Sequence, residues 1–509
     1  MESLLLVYPP LAKNCEPPPG VARLAGVLRG RGVSCSVLDL NRLAFAFVFE
    51  LESSRRDTWS LRARKNLTTN VGALQSLQTY GQIDRYKRAV ADVNRVLTGV
   101  GGQRNLELSL ANYQDACSPV RSDDLLKVAK ECQSSLFYPL FEAELIPLIE
   151  QSQPDYIGIS LTYLSQASPC FALIGFLRRR YPQIKIILGG GLVTSWMRSP
   201  HWNNPFSGLV DDCLAGPGES FLLGLLGAGQ TEARGAPPAY DQMDYFSPGF
   251  ILPYAASSGC YWNKCLFCPE TAEETPYLPL APSQVIAELG LLVKKHQPLL
   301  VHFLDNAVSP ALMRELTETA LGVPWYGFAR ACPLLADETF CQHLRRSGCV
   351  MLKLGLESGD QRVLDGMEKG IDLLLVERVL RALAGAGIMT YVYLLFGTPA
   401  EDEASARRTM DFTIQHRDEI DFLNLAIFNL PVGGPEAKNL ELNAFSGGDL
   451  SLYTDFNHPK GWSRRQVRRF LNKEFKRHPA IATILQADPP LFTSNHAPLF
   501  HPHFRTRPR

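Results

Sequence analysis

The chain reads as α/β: a doubly wound, Rossmann-like domain, then an open partial barrel of six β-α units, then a C-terminal extension. Three observations predict this. A β-α-β opening resumes after residue 150 with glycines at the carboxyl ends of its strands. A second series of six apolar strands alternates with amphipathic helices. A stretch rich in Gly, Ala and Pro separates the two series. The predicted boundaries are 1–227 for the first domain, with a helical insertion at 41–150, 228–250 for a linker, 251–430 for the partial barrel and 431–509 for the extension.

In order, Leu4–Tyr8 is a short apolar strand followed by a Pro-rich loop. Val21–Leu28 is a helix and Ser34–Leu40 a second strand, which implies a parallel sheet. Between residues 41 and 150 no segment alternates as a strand does. Tyr156–Leu161 is the next strand, Phe171–Arg180 a helix, and Lys185–Leu188 a strand ending in Gly189-Gly190-Gly191. Leu209–Leu214 is a further strand, followed by Gly216-Pro217-Gly218-Glu219 and the helix Ser220–Leu226. Ligands of doubly wound sheets bind at such strand ends. The second series has strands near Leu252–Ala256, Leu300–Leu304, Trp325–Ala329, Val350–Leu354, Thr390–Leu395 and Phe422–Phe428. Its helix Leu373–Ala386 has Asp372 as N-cap.

At 509 residues there is room for two or three domains. Hydrophobic residues make up 46% and charged residues 20%, ordinary for a globular chain. Lys+Arg and Asp+Glu balance at 51 each, so nothing global points to nucleic acid or an anionic membrane. The first residues lack a basic start, and no run approaches the roughly 18 apolar residues of a membrane span. The expectation is a cytoplasmic chain. Its 12 cysteines then suggest metal or redox chemistry rather than disulfides. The nine outside the triplet described next show no paired spacing and read as small buried apolar residues.

Cys260, Cys265 and Cys268 form a C-x4-C-x2-C loop directly after the first strand of the second series. Three thiolates from one loop can hold three irons of a [4Fe-4S] cluster and leave the fourth iron open. Zinc is the alternative, with Glu270 or a distant His as fourth ligand, although no second C-x2-C pair follows. The loop resembles the signature of the radical S-adenosylmethionine (SAM) enzymes. Their commonest spacing is C-x3-C-x2-C, so one residue is added here; the aromatic before the last cysteine, Phe267, is retained.

The resemblance implies that the open iron takes the amino and carboxylate groups of SAM and cleaves it reductively. It also assigns the SAM pocket to the following strand ends, as in all barrels of this kind. Asp305 and Asn306 end the second strand, where the family holds the methionine amine; an Asp-Asn helix cap before Ser309-Pro310 is the other reading. Arg330 ends the third and would meet the SAM carboxylate or a surface ion pair. Leu354-Gly355-Leu356-Glu357-Ser358-Gly359 ends the fourth. With Lys369-Gly370 it resembles the segment of cobalamin-type members whose glutamate accepts from the ribose hydroxyls. Gly397 ends the fifth and would let backbone approach the adenine; an ordinary turn with Glu401 in the first helical turn is the alternative.

Residues 1–430 together resemble the radical SAM enzymes that carry an N-terminal cobalamin-binding domain. The cobalamin candidates are Tyr8, Ser160, Tyr163, Gln166, Gly189, Gly190, Gly191, Gly216, Gly218 and Glu219. The glycines leave room for a flat corrin. The Asp-x-His-x-x-Gly motif of many cobalamin proteins is absent, as it is from many cobalamin-dependent radical SAM enzymes. A nicotinamide cofactor lacks the G-x-G-x-x-G it would need; Asp39 alone fits it and reads better as a cap.

These readings imply a cobalamin-dependent radical SAM methyltransferase acting on an unactivated carbon of a small molecule or peptide. It would draw electrons from a reductant such as flavodoxin or ferredoxin. The alternatives are a radical SAM enzyme of another outcome (cyclisation, rearrangement or oxidation) with cobalamin non-methylating or absent, and a metal-stabilised binding protein. No residue is singled out as catalytic. The basic run Ser463–His478 reads as a solvated helix face or a docking surface for an acidic or phosphorylated partner.

Overall fold

Two separate parallel sheets, one of five strands and one of six, organise the chain. The computed structural model describes residues 3–53, 55–229, 236–443 and 447–505. Each sheet belongs to its own compact unit. Residues 1–79, 84–249 and 446–452 form the first, and 80–83, 250–445 and 453–509 the second.

In the first unit β1 (Leu4–Tyr8) pairs with β2 (Cys35–Asp39) on one side and β3 (Tyr156–Ser160) on the other. β4 (Lys185–Gly189) and the two-residue β5 (Asp212–Cys213) complete the sheet. The order β2-β1-β3-β4-β5 is doubly wound, with its switch point between β1 and β3. β1 is buried throughout, as parallel strands covered on both faces must be. α1 (Pro19–Gly30) starts at a proline, whose missing N–H is harmless in a first turn.

The strand β5 is shorter than the predicted Leu209–Leu214: only Asp212–Cys213 pair. Arg178 donates to the Leu209 carbonyl and pairs with Asp211. The Asp211 amide still donates to the Ile186 carbonyl at 2.9 Å, and the Asp211 carboxylate accepts from the Ile186 amide at 2.7 Å, in place of a regular backbone ladder there. The helix expected from Phe171 begins earlier: α2 spans Leu164–Arg180 and runs through Pro169. The insertion is helical, apart from the hairpin Glu107–Leu108/Tyr113–Gln114. Helix Ser122–Lys130 lies so close to α2 that a Cβ on Gly175 would come 1.9 Å from the Ala129 carbonyl oxygen.

The segment read as a linker is fastened to the first unit over residues 236–249. Asp241 pairs with Arg29 at 2.7 Å and Asp244 with Arg42 at 2.8 Å. The Tyr245 hydroxyl donates to Asp39 at 2.8 Å. Gly26 must be glycine, because a Cβ there would meet the Pro237 carbonyl oxygen at 2.1 Å. Asp39 itself caps helix Leu40–Glu50 through the Arg42 amide, the cap reading rather than the ribose one.

In the second unit the strands are β6 (Ile251–Tyr254), β7 (Leu300–Phe303), β8 (Trp325–Ala329), β9 (Cys349–Glu357), β10 (Met389–Phe396) and β11 (Phe422–Ile427). They pair in sequence order, all parallel. Such pairing brings the carboxyl ends of all six to one edge. Asp372 caps helix Leu373–Gly385 through the Leu375 amide, as expected. Among the described residues no helix is long and apolar enough to cross a membrane.

Candidate functional site

At the carboxyl edge of the second sheet the cysteine loop leaves β6 and is seated on the turn that follows β9. Gly259 opens the loop at φ +74°, where a Cβ would strike the Pro276 carbonyl oxygen at 2.4 Å; this left-handed geometry suits glycine. The Leu266 amide donates to the Met367 carbonyl at 3.1 Å, and the Trp262 indole donates to the Glu368 carbonyl at 3.2 Å. A Cβ on Gly370 would overlap the Trp262 ring at 2.0 Å, so the indole lies directly on backbone. Arg330, 9% exposed, stacks its guanidinium on that ring at 4.0 Å and donates to the Lys369 and Gly370 carbonyls. It is therefore not the surface ion pair of the sequence reading.

Lys369 is the residue that sequence reasoning undervalued. Its ammonium pairs with Glu357 at 2.8 Å and lies over the Phe267 ring at 5.4 Å. Burial raises the Cys265 thiol above its ordinary pKa, while Lys369 and Arg330 pull it down. Burial pushes Cys268 up to about 11. At Cys265 the two cations oppose the effect of burial without reversing it, which favours a thiolate there. Glu357 sits at φ +69°, beside an irregularity in the β9–β10 register. A non-glycine residue in that region is a strained position of the kind that collects at functional sites.

The Asp305 carboxylate is buried and accepts from the Ala256 amide at 3.0 Å and from the Ser257 hydroxyl, fixing the entry to the cysteine loop. Burial raises its pKa. The cap of the next helix is Ser309, so the Asp-Asn cap reading fails. Asn306 is exposed beside it. Ser358 is consumed internally, bonding Thr409 at 3.1 Å and accepting from the Asp360 amide. Gly397 turns at φ +82° and its amide donates to buried Glu401. Helix Glu403–Gln415 is capped by Asp402, so Glu401 is not in its first turn.

The three thiols offer the soft donor set that iron clusters take. As placed, no three His, Cys, Asp or Glu among the described residues converge enough to hold one ion. That includes the zinc alternative built on Glu270.

In the first unit the candidates divide. Gln166 is fully buried and spent: it accepts from the Thr162 and Tyr163 amides and donates to the Pro9 carbonyl at 2.7 Å. It joins the two loops at the switch point. Gly190, at φ +106°, is glycine because a Cβ would meet the Leu161 oxygen at 2.4 Å. Glu219 faces Arg23 at 3.8 Å. Tyr8 is buried, with its phenol pKa raised by that burial. Gly189, Gly191, Gly216 and Gly218 have nothing nearer than 3.6 Å where a Cβ would stand. Ser160 is half-buried, Tyr163 is 55% exposed, and together they leave an edge with unfilled room.

No family model matches the chain. The anaerobic magnesium-protoporphyrin IX monomethyl ester cyclase of Rubrivivax gelatinosus is 27% identical over 159 residues, 30% of this chain and 28% of that enzyme. The tryptophan 2-C-methyltransferase of Streptomyces laurentii is 25% identical over 227 residues, 40% of this chain and 37% of that enzyme. The chain thus spans well under half the length of these curated relatives. Among solved structures, the radical SAM methyltransferase TsrM of Kitasatospora setae, with cobalamin and a [4Fe-4S] cluster bound, superposes at TM-score 0.51. It covers 84% of this chain and 76% of its own, at 16% identity. The cobalamin-dependent radical SAM enzyme OxsB, with aqua-cobalamin and SAM bound, reaches TM-score 0.57 over 98% of this chain and 72% of its own, at 12% identity. The chain has the fold of cobalamin-dependent radical SAM enzymes. Within that fold, the cysteine loop, Asp305, Arg330, Glu357 and Gly397 all lie at the carboxyl edge of the second sheet, and the glycine-lined edge belongs to the first.

Proposed function

We propose that the chain is a cytoplasmic radical SAM enzyme that uses cobalamin to methylate an unactivated carbon of a small molecule or peptide. The observation that carries this is the cysteine loop, anchored at the carboxyl edge of six parallel strands with Lys369 and Arg330 beside it. Cys260, Cys265 and Cys268 would hold a [4Fe-4S] cluster, which supplies reductive cleavage of SAM, while cobalamin on the glycine-lined edge supplies methyl transfer. Lys369 and Arg330 favour the thiolate state of Cys265. Asp305 keeps the loop's entry in register and offers a carboxylate to a cationic amine. Arg330, already holding the 369–370 turn, sets the wall against which a carboxylate would rest. Glu357, clamped by Lys369, is held ready to accept from hydroxyl groups. Electrons would come from a flavodoxin or ferredoxin.

The test is anaerobic reconstitution with iron, sulfide and methylcobalamin, then SAM and reductant, with nucleosides quantified by mass spectrometry. Both 5′-deoxyadenosine and cobalamin-dependent S-adenosylhomocysteine are expected. Absence of both sinks the proposal. The match to a cyclase favours a second reading, a radical SAM enzyme of another outcome, which predicts deoxyadenosine alone even with substrate present.

A further inference from the structure

The six-residue turn after β10, residues 397–402, is gripped by a single short segment of the C-terminal extension. His458 Nε2 meets the Thr398 carbonyl at 2.9 Å. Lys460 donates to the Ala400 carbonyl and pairs with Asp402 at 3.5 Å. The Trp462 indole donates to Glu401 Oε2 at 2.9 Å, the same oxygen that accepts from the Gly397 amide. The segment is itself folded around His458 Nδ1, which accepts from the Lys460 and Trp462 amides at 3.2 Å each. Trp462 is anchored edge-on against Phe470, with ring centroids 6.0 Å apart.

This arrangement does more than brace a helix. Asp402 performs the capping, so Glu401, at 0% exposure, takes no part in starting the helix. A buried carboxylate with no cation must be satisfied by donors. Here the donors found are the Gly397 amide and the Trp462 indole, both on Glu401 Oε2. Glu401 Oε1 and the Thr398 hydroxyl, both fully buried, have no hydrogen-bond partner. The turn therefore carries polar groups left over after the fold is satisfied, at the strand edge that holds the cysteine loop.

We propose that Trp462 is a positioning residue: through Glu401 it fixes the Gly397 amide, and so the backbone turn on which the nucleoside part of SAM rests. This rests on the radical SAM reading. Trp462→Phe keeps an aromatic body and removes the donor. Amide exchange of residues 397–402, measured without ligand, should quicken, and SAM affinity by equilibrium dialysis should weaken about tenfold, as for a buried acceptor left short of a donor. Glu401→Gln, which retains a carbonyl oxygen for both donors, should bind SAM close to wild type, whereas Glu401→Ala should not. A thermal melt reports whether Trp462→Phe folds. If it does not, Lys460→Ala on an exposed side chain carries the test: faster exchange with weaker binding supports the proposal. Faster exchange with unchanged SAM affinity overturns it, as does unchanged exchange. A wild-type chain that takes up no SAM overturns the functional reading and this inference with it.

Discussion

The carboxyl edges of the two sheets differ in kind. The first is a surface of shape: glycines, a spent glutamine and an exposed tyrosine, with its charged groups already paired at the margin. The second is a surface of charge: Arg330, Lys369, Glu357 and Asp305 are all buried or nearly so and satisfied by one another or by backbone. Burying charge costs free energy unless geometry compensates it. On the proposed function, the edge that concentrates charge is the one that would handle electrons and protons, and the other would only have to admit and orient something large.

The largest expected effect tests the charged edge directly. Replacing Cys260, Cys265 and Cys268 together by Ala should abolish cluster absorbance and SAM cleavage, and leave cobalamin uptake by the glycine-lined edge intact. If cleavage survives, the cluster assignment is wrong. If cobalamin uptake also vanishes in a folded variant, the division between the two edges is wrong.

Next comes Lys369→Met. Lys369 and Glu357 are 9% and 13% exposed, so removing the cation leaves a carboxylate buried without its partner. The cost should be about 3 kcal/mol of unfolding free energy, read from urea denaturation. Glu357→Gln in the same background should recover most of it, because the uncompensated charge then disappears. A loss below about 1 kcal/mol would show that solvent, not Lys369, satisfies Glu357.

The strands of the second series were legible because apolar residues dominate each over a strand's length, even where His302, Lys353, Thr390 or Asn424 interrupts them, and five of the six lie within two residues of expectation at both ends. Their carboxyl ends located Asp305, Arg330, Glu357 and Gly397 on one edge without any contact being visible. What hydrogen-bonds to what was not legible. Arg330 reaches the 369–370 backbone across about forty residues, and Trp462 reaches Glu401 across sixty-one; periodicity carries no information at that range. Composition also misled. The Gly-, Ala- and Pro-rich segment read as a linker is tied down over 236–249 by Asp241, Asp244 and Tyr245. Gln166 was read as a residue near the cobalamin; its buried amide is hydrogen-bonded to the Thr162, Tyr163 and Pro9 backbone, as a buried amide must be.

A smaller effect comes from pH. Burial raises Glu401 to about 7, with Asp402 and Asp360 pushing the same way and Gly397 and Trp462 opposing. Its unfolded value is about 4.3. The folded state therefore binds more protons between these values, and unfolding free energy should fall as pH rises through that window. Each unit is worth about 1.4 kcal/mol, so the fall is at most a few kcal/mol. Glu436, raised to about 7 by burial alone, contributes a similar slope. Glu401→Gln should flatten the profile measurably, leaving the part carried by Glu436 and by the burial-raised Asp305 and Asp39. An unchanged slope would show that Glu401 is ionised at ordinary cost.

The finest test separates strain from room within the glycine edge itself. Gly190→Ala forces a Cβ into φ +106° and to within 2.4 Å of the Leu161 carbonyl oxygen. It should cost about 2 kcal/mol by urea denaturation whether or not a ligand ever binds there. Gly191→Ala begins a helix at ordinary dihedrals with its nearest neighbour 3.8 Å away, so stability should change by less than about 0.5 kcal/mol. If the edge receives a flat corrin, that added methyl occupies ligand space, and cobalamin affinity, followed by absorbance titration, should drop several-fold. A stable Gly191→Ala chain that binds cobalamin as well as wild type would place the corrin elsewhere. The adjacent glycines would then both be explained by the sharp turn from β4 into the helix Gly191–Arg198, and shape alone would no longer mark the first sheet as a binding edge.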